Sequence, residues 1–546
     1  MTTQTTPNGA SSGLRFHGAA TGYSLTGARV AFHEDGMAAL LRELDQPCYV
    51  VSDGSRITVA AGGNLQEGVP GDAVRLLANL PPVDPAQFGD ASFLTAYDVK
   101  YAYAAGAMAN GIASEDLVIA MGRAGLLASF GAAGLVGPRL KAAIDKIQAA
   151  LPEGPYAFNL IHSPSEERME RNAVELYLQH GIKIVEASAF LDLTPYVVWY
   201  RAAGLSRNPD GSVSIGNRMI AKISRREVAT HFMKPAPERL LRPLVEQGLI
   251  TAEQMELAQR VPVADDITCE ADSGGHTDNR PLVALLPSII ALRDQIQAEY
   301  NYPVPVRVGA AGGIGTPSAA LAAFMMGAAY VVTGSINQST LEAGASPHTK
   351  KLLAQADMAD VMMAPAADMF EMGVKVQLLK RGTMFPMRAQ RLYELYAQYS
   401  GVEDIPQEER DKLEKQVFKR PIDDIWRDTV AYFSERDPDQ ITRAENNPKR
   451  KMALIFRWYL GLSSRWSNSG EKGRELDYQV WCGPSMGAFN AWTKGTYLEQ
   501  AENRRVADVA EQMMRGTAYL YRIALLRMQG VDVPPRLADY RPEPLG

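Results

Sequence analysis

The sequence predicts an α/β fold, a closed (β/α)₈ TIM barrel with an appended N-terminal subdomain and a helical insert. Eight short β-type runs alternate with helical runs between residues 99 and 335, the length that eight strand–helix units of a parallel barrel require. In one of these units, residues 304–335, the sequence carries the residues expected at the start and at the end of its helix. Beyond residue 385 the chain becomes dense in charged and aromatic residues. A doubly wound open sheet is the alternative fold for the same alternation.

The predicted strands are short apolar runs bounded by turn signals. Helical runs lie between them, and in residues 165–180 apolar side chains recur at about 3.6-residue spacing. We predict the eight strands at residues 100–107, 126–131, 156–161, 183–187, 218–223, 265–270, 304–308 and 329–333.

Residues 304–335 form the clearest of these units. A β-branched strand leads into a glycine turn, and Thr316 can then cap a helix. Pro317 suits the first helical position because no N–H is needed there. Gly327 is placed to end the helix in a left-handed conformation, and another strand follows at once. This punctuation predicts a βαβ crossover between parallel strands.

Changes in composition divide the chain into four predicted regions. Residues 1–95 form an appended N-terminal region, β-rich or mixed, and residues 96–385 form the barrel. Residues 386–500 form a helical subdomain that lies beside or over the barrel as a substrate-binding layer or lid. In residues 501–546, we expect a final helical run at about 503–529 to pack back against the barrel.

Composition and charge exclude several classes of protein. Hydrophobic residues make up 46% and charged residues 22%, as in an ordinary globular chain. The net charge of −6 argues against a general nucleic-acid binder. Cys48, Cys269 and Cys482 are too far apart for a disulfide framework or a CxxC metal site, which favours a reducing compartment. No signal peptide is visible, and the apolar span at residues 283–292 is too short for a membrane helix. We therefore expect a soluble, cytoplasmic protein.

Two glycine turns follow the seventh and eighth predicted strands. Gly312 and Gly313 end one strand, and Gly334 and Ser335 end the next. Neighbouring parallel strands present their C-terminal ends side by side, and a barrel usually holds a phosphate at these two loops. Backbone N–H groups bared by glycine, together with a helix N-terminus, can bind such an anion. Taken singly each glycine would only permit a tight turn; together they predict a phosphate site.

The segment at residues 269–280, CEADSGGHTDNR, follows the sixth predicted strand. Gly274 and Gly275 would let the backbone approach a flat ligand closely. His276 would then project over the barrel mouth, where an imidazole can transfer a proton near neutral pH. The alternative is a structural loop histidine.

Glu270, Asp272 and Asp278 in the same segment raise the option of a metal site. No histidine or cysteine ligands cluster with them, which disfavours that option. We therefore predict no metal.

Polar residues also occur in two predicted inner strands. Lys222 in RMIAKIS either reaches solvent or holds an anion, and Asn159 in FNLI either contacts a ligand or bonds its own backbone. The small residues at 104–114 would let the backbone amides around Ala107 and Met108 lie along a flat ring.

These segments, taken in order, resemble one family. The likeness extends from about residue 15 to residue 530 and is to the PfaD family, the trans-acting enoyl reductases of polyunsaturated fatty acid and trans-acyltransferase polyketide synthases. That family is similar to nitronate monooxygenases and to flavin-dependent enoyl reductases. The matching segments are AGAMANG, FNLIH, IAKIS, EADSGGHTDNRP, GAAGGIGTP, VVTGS, KVQLLKRGTMFPMRAQRLYELY and WCGPSMGAFNAWTKGTYL.

The resemblance implies FMN as cofactor, NADPH or NADH as electron source and His276 at the active centre. His276 would stabilise the thioester oxygen of an enoyl substrate or protonate its α-carbon. In a flavin site, Lys222 would stabilise the anionic reduced ring. The rival interpretations are a nitronate monooxygenase and, in another class, a non-catalytic flavoprotein scaffold.

The implied substrate is an enoyl thioester on an acyl carrier protein, so a synthase assembly is the expected partner. Carrier proteins are generally acidic, and Lys449, Arg450 and Lys451 form a basic cluster that could dock one. The alternative for this cluster is an ordinary solvated helix face. The sequence leaves the oligomeric state open, with a homodimer as one option.

Overall fold

The computed structural model describes residues 15–16, 21–67, 74–162 and 167–545. Eight parallel strands form a closed barrel, which confirms the predicted fold class. The barrel strands are β1 (Tyr103–Ala105), β2 (Leu127–Phe130), β3 (Ala157–Ile161), β4 (Ile184–Ser188), β5 (Arg218–Ile223), β6 (Asp266–Glu270), β7 (Arg307–Ala311) and β8 (Val331–Thr333).

Each barrel strand pairs in parallel with the next one along the chain. The ladder between β8 and β1, with Val331 opposite Tyr103, closes the sheet. An open doubly wound sheet is therefore excluded, because that fold leaves two edge strands unpaired.

The seventh strand lies three residues later than predicted. We predicted residues 304–308, and β7 is Arg307–Ala311. Pro303 and Pro305 lack the N–H that a central ladder needs, so pairing begins after them, at Arg307 opposite Asp266. The small residues of β7 are poor strand formers by composition, but they are held in the strand by pairing on both sides.

Helices follow the strands as a (β/α)₈ alternation requires. The predicted helix at 165–180 is Glu167–Gln179, and its first two predicted residues lie outside the described part of the chain. The helices from residue 91 to residue 354 are Ala91–Tyr97, Glu115–Arg123, Gly137–Ala150, Glu167–Gln179, Pro195–Ala203, Arg226–Met233, Glu238–Glu246, Ala252–Ala258, Leu282–Tyr300, Pro317–Met325 and Pro347–Ala354. Across the described residues, no helix is both long and apolar enough to cross a membrane.

The N-terminal rim of the barrel is sealed by buried ion pairs. Arg307 at the start of β7 donates to both carboxylate oxygens of Asp266 at the start of β6, at 2.6 and 2.7 Å. Arg201 binds Asp265 at 2.7 Å. Polar groups at this rim of a barrel serve stability, whereas chemistry takes place at the C-terminal rim.

The chain after β8 adds a small sheet and a helical layer. Strands Val361–Pro365 and Lys375–Leu379 pair with each other, and the second of them also pairs with Gly275–His276. The helical layer has its own core, which includes Phe385, Phe418 and Phe456. Its helices are Phe385–Gln398, Gln407–Lys412, the π-helical segment Leu413–Phe418, Ile422–Arg436, Pro438–Glu445 and Pro448–Ser469; Ser485–Thr493 and Val506–Met528 follow.

By contacts the chain divides into two compact units, one of Gly89–Thr316 with Ala323–Val509, the other of Met1–Phe88, Pro317–Ala322 and Ala510–Gly546. In the described residues of the second unit, six strands form an antiparallel sheet beside helix Glu34–Arg42. The strands, in their order across the sheet, are Arg29–Ala31, Ile57–Ala61, Cys48–Ser52, Val74–Leu80, Thr21–Thr26 and Asn64–Glu67.

A buried arginine near the end of the chain binds the segments that flank this N-terminal sheet. The side chain of Arg522 is fully buried in the second unit. Its guanidinium donates to five backbone carbonyls at distances of 2.9 to 3.3 Å. The accepting residues are Leu41, Glu43, Leu44, Gln46 and Pro81. The packing of the N-terminal region therefore depends on a residue more than 400 positions away.

We expect Arg522→Met to lower the free energy of unfolding of this unit by about 2 kcal/mol, because buried carbonyls would lose their donors. Urea denaturation followed by circular dichroism measures the change. Arg527→Met, an exposed position on the same helix, is the matched control and should leave the unfolding midpoint unchanged. Equal midpoints for all three proteins would show that these hydrogen bonds contribute no net stability.

Candidate active site

A lysine lies between two carboxylates at the C-terminal rim of the barrel. Lys222 is the penultimate residue of β5, and its Nζ is 3.1 Å from Oε1 of Glu270, the last residue of β6. Burial lowers the pKa of Lys222, but the charges of Glu270 and of Glu186 on β4 raise it more, so the net shift is upward. Lys222 is therefore a fixed cation that faces the barrel mouth.

Glu186 also organises the neighbouring strands. Its carboxylate accepts the backbone N–H of Ala107, at 3.3 Å from each oxygen, in the loop after β1. The side-chain amide of Asn159 on β3 donates to the backbone oxygen of Glu186 and to Oγ of Ser188, at 3.0 and 2.9 Å. Both N–H groups of Asn159 are thus used within the barrel. Met108, next to Ala107, is partly exposed.

His276 lies on the small sheet and not on the barrel wall. It belongs to the two-residue strand Gly275–His276 and lies opposite Val376. Its Nε2 is 3.2 Å from Oδ1 of Asp368, and the two side chains are 35% and 33% exposed. The imidazole is therefore reachable from the solvent side while one of its nitrogens is held by a carboxylate.

The electrostatic surroundings favour the charged form of His276. Burial lowers its pKa, but the hydrogen bond and charge of Asp368, with the charge of Glu270, raise the pKa above its ordinary value of 6.5. Lys222 acts in the opposite direction. The net upward shift means that more of the imidazole is protonated at neutral pH than for a free histidine.

The loops after β7 and β8 contain two glycines that face open space. A Cβ built on Gly313 or on Gly334 would meet no atom within 4 Å. Within the described ranges, the backbone N–H groups of Gly313 and Ser335 have no acceptor. Oγ of Ser335 accepts the backbone N–H of Gly483 at 3.0 Å. Free N–H groups beside open space, on two neighbouring strands, form a cradle that an anion can enter.

Two other glycines singled out from the sequence are explained by close packing of the chain on itself. A Cβ on Gly312 would lie 2.6 Å from the backbone carbon of Ala271, and one on Gly274 would lie 2.9 Å from the backbone nitrogen of Cys482. Gly275 has a φ of +80°, which a residue with a side chain rarely adopts. Gly274 therefore lets the His276 loop lie against Cys482, and Gly312 lets the loop after β7 lie against Ala271.

The three acidic residues near His276 have separate partners. Glu270 pairs with Lys222, Asp272 accepts from Gln377 at 2.7 Å, and Asp278 pairs with Arg225 at 2.8 Å. In the part of the chain that the structure describes, no group of three or more histidine, cysteine, aspartate or glutamate side chains is arranged to hold a metal ion.

The basic cluster at the start of helix Pro448–Ser469 is engaged within the helical layer. Lys449 donates to the backbone oxygens of Tyr396 and Tyr399. Arg450 donates to Gln440 at 2.6 Å, and Lys451 pairs with Glu403 at 2.7 Å. Consecutive helical residues point about 100° apart, so three neighbouring basic residues do not form one surface.

Three residues were not predicted from the sequence to lie near His276 or Lys222. Glu186 has a signal of the same kind as Lys222, a charge in an otherwise apolar strand, IVEAS. Asp368 is 92 residues from His276 along the chain, and no spacing connects the two. Arg457 carries a charge that lowers the pKa of Asp368, and it comes from the helical layer. The small sheet brings Asp368 to His276, and helix Pro448–Ser469 brings Arg457 near Asp368.

At one rim, the arrangement combines an anion cradle, a fixed cation and an imidazole whose pKa is raised. The cradle lies on β7 and β8, and the cation lies on β5. His276 lies above them on the small sheet, within range of the charges of Lys222 and Glu270. Such a site can hold a phosphorylated ligand and supply a proton or a hydrogen bond to a substrate above it.

Three family models match the chain. Residues 92–398, more than half of the chain, match the nitronate monooxygenase model. Residues 26–82 match the N-terminal domain of the fatty acid synthase subunit PfaD. Residues 399–478 match the inserted helical domain of [acyl-carrier-protein] S-malonyltransferase.

Relatives of this chain are named as a polyunsaturated fatty acid synthase subunit and as a polyketide biosynthesis protein. It is 50% identical over 514 residues to a subunit of the polyunsaturated fatty acid synthase of Thraustochytrium sp., covering 93% of this chain and 34% of that protein. It is 47% identical over 452 residues to the polyketide biosynthesis protein PksE of Bacillus subtilis, covering 83% of this chain and 58% of that protein. The chain thus spans between about a third and three-fifths of the length of these two relatives.

A solved structure shares the fold at high identity. It is the crystal structure of the enoyl reductase domain of MlnA from the macrolactin biosynthesis cluster of Bacillus amyloliquefaciens. The sequence identity is 39% and the TM-score is 0.77, and the match covers 81% of this chain and 99% of that one.

Proposed function

Since the chain belongs to the nitronate monooxygenase family, in its PfaD-like branch, we propose that it is an FMN-dependent, trans-acting enoyl reductase. The substrate is an enoyl thioester on an acyl carrier protein, and the electrons come from NADPH or NADH. The observation that carries the proposal is the placement of His276, held by Asp368 and within range of the charge of Lys222, at the rim where β7 and β8 form an anion cradle.

The residues at this rim fit the cofactor. The free N–H groups of Gly313 and Ser335, with open space beside Gly313 and Gly334, suit the phosphate of FMN. Lys222 suits the electron-rich edge of the isoalloxazine ring, because it is a cation already held in place by Glu270. The loop at Ala107 and Met108 and the amide oxygen of Asn159 complete the proposed set.

Bound FMN would supply the hydride that a nicotinamide provides and that the β-carbon of the enoyl group accepts. His276 meets the other requirements of the reaction, which concern the thioester oxygen and the α-carbon. Negative charge develops on the thioester oxygen as the β-carbon is reduced, and the α-carbon must then gain a proton. A protonated imidazole serves either by hydrogen bonding that oxygen or by giving the proton to the α-carbon.

The proposed partner is an acyl carrier protein within a synthase assembly. The relatives are synthase proteins, and one matched model comes from an enzyme that acts on acyl carrier protein. Docking through Lys449, Arg450 and Lys451 would require these side chains to exchange their present partners. Of the three, Lys451 has the simplest exchange, because its ion pair with Glu403 lies at the surface.

The test measures the consumption of NADPH in the absence of oxygen, with a crotonyl thioester as substrate. The absorbance of the reduced nicotinamide reports the consumption. We expect turnover with the crotonyl thioester and none with the saturated butyryl thioester, which is the matched control substrate. The rival is a nitronate monooxygenase, which uses oxygen and a nitronate. Oxygen-dependent consumption of a nitronate, with no anaerobic reaction of the enoyl thioester, would overturn the proposal.

A further inference from the structure

A carboxylate outside the barrel contacts the histidine of the proposed active site. Asp368 follows strand Val361–Pro365 and precedes the turn Phe370–Met372. Its Oδ1 is 3.2 Å from Nε2 of His276 and 3.1 Å from the backbone nitrogen of Met369. The backbone N–H therefore fixes the carboxylate, and the carboxylate in turn fixes the imidazole.

We propose that Asp368 is a positioning residue for His276. Its carboxylate holds Nε2, so that Nδ1 is the nitrogen that faces the reacting thioester. A protonated imidazole has two N–H donors, and it can therefore bind Asp368 with one and the substrate with the other. This inference rests on the proposed function, because it assigns His276 a role in the reaction.

Backbone pairing holds the two residues in a fixed relation. Strand Lys375–Leu379 lies between their segments in the small sheet. On one side His276 is opposite Val376, and on the other Pro365 is opposite Lys375. His276 and Pro365, which precedes Asp368 by three residues, are thus paired with adjacent residues of one strand. A side-chain contact supported by two ladders has little freedom to open.

The surrounding charges favour the ionised forms of both side chains. On the barrel side, His276 faces Glu270 and Lys222, whose effects on its pKa are opposite. On the other side, Asp368 faces Arg457 of helix Pro448–Ser469. Burial raises the pKa of Asp368, but the hydrogen bond and charge of His276, together with the charge of Arg457, lower it more.

Arg457 gives the helical layer a part in this arrangement. Its Nη1 is 3.5 Å from Oε1 of Glu371, three residues after Asp368, and its side chain is only 13% exposed. The helix thus supplies a largely buried cation whose charge acts on the Asp368 carboxylate. The barrel thus contributes Lys222 and Glu270 to the surroundings of His276, and the chain after the barrel contributes Asp368 and Arg457.

The experiment is a titration of the His276 imidazole by NMR, with kinetics on the same proteins. The protein is loaded with FMN and labelled with ¹⁵N in its histidine rings, and the His276 signals are identified by their loss in His276→Gln. We expect a pKa above 6.5 in the wild-type protein. In Asp368→Asn we expect that pKa to fall by one unit or more, because the largest contributions that oppose burial come from Asp368. Asp360→Asn, a neighbouring carboxylate that pairs with Arg381, should not change it.

The kinetic measurement distinguishes a role of Asp368 in positioning His276 from a role in stabilising the fold. Since protonated His276 is the active form, loss of Asp368 should move the fall of turnover at high pH to lower pH by the same amount. At a pH well above both pKa values, turnover should drop about tenfold, the fold-change of one pKa unit. Asp368→Glu, which keeps the charge, should restore the wild-type pH profile in part.

Two results would overturn the inference. One is a wild-type His276 that titrates at or below 6.5, which requires no variant to fold. The other is an Asp368→Asn protein with normal flavin content, an unshifted His276 and an unshifted pH profile. A wild-type protein without enoyl reductase turnover would instead be a failure of the proposed function, and the titration would still report on the Asp368 contact.

Discussion

Replacing His276 with glutamine is expected to lower turnover of the enoyl thioester by about 10²- to 10⁴-fold, the range for loss of a general acid. Glutamine can still donate a hydrogen bond, but it cannot give a proton near neutral pH. Flavin binding should stay near the wild-type level, because the cradle on β7 and β8 is built from other residues. Steady-state kinetics with the crotonyl thioester and flavin absorbance of the same sample measure both quantities.

The matched control is His231→Gln, on a helix of the barrel's outer ring. His231 is 44% exposed and is 3.7 Å from Asp192, so its replacement should leave turnover unchanged. A His276→Gln protein with bound flavin and full turnover would remove His276 from the mechanism. Nearly full turnover in this variant would also favour another proton source, such as solvent.

Filling the anion cradle is expected to weaken FMN binding strongly. Gly334→Val should raise the dissociation constant of FMN about 100-fold or more, because the new side chain would occupy the space proposed for the phosphate. Gly334 suits this test since its backbone is not left-handed and a Cβ there meets no protein atom within 4 Å. The protein should therefore fold normally. Quenching of FMN fluorescence on titration with protein gives the dissociation constant without any turnover.

Gly461→Val is the control for this substitution. A Cβ at Gly461 also meets no atom within 4 Å, and the residue lies exposed on helix Pro448–Ser469. Its variant should bind FMN as the wild-type protein does. Unchanged FMN affinity in Gly334→Val would place the phosphate somewhere other than the loops after β7 and β8.

The barrel could be predicted from the sequence because each strand carries a local signal. Short apolar runs bounded by turn residues located all eight strands, and the closing β8–β1 pair follows from their number and parallel order. The error at β7 arose from Val304, a strong strand former between two prolines. There the missing backbone donors outweighed the side-chain preference. The PfaD resemblance drawn from the ordered motifs is confirmed by the family-model and relative matches.

Parts of the site were predictable for the same local reason. Lys222 stood out as a charge in an apolar strand, and Gly334 as a glycine at a strand end. The Asp368 contact was not predictable, since it depends on a small sheet formed by segments about 90 residues apart. The cluster Lys449–Lys451 shows the opposite case. A run of charge in the sequence suggested one surface, but helical geometry turns each side chain to a different partner.

The most direct test of the account is the visible absorbance spectrum of the wild-type protein after incubation with FMN and removal of free flavin. We predict one bound flavin per chain, with absorbance bands shifted from those of free FMN, because the ring would lie at a rim lined by Lys222 and His276. Addition of NADPH without oxygen should bleach these bands, and a crotonyl thioester should restore them. A colourless protein that retains no FMN would contradict the account.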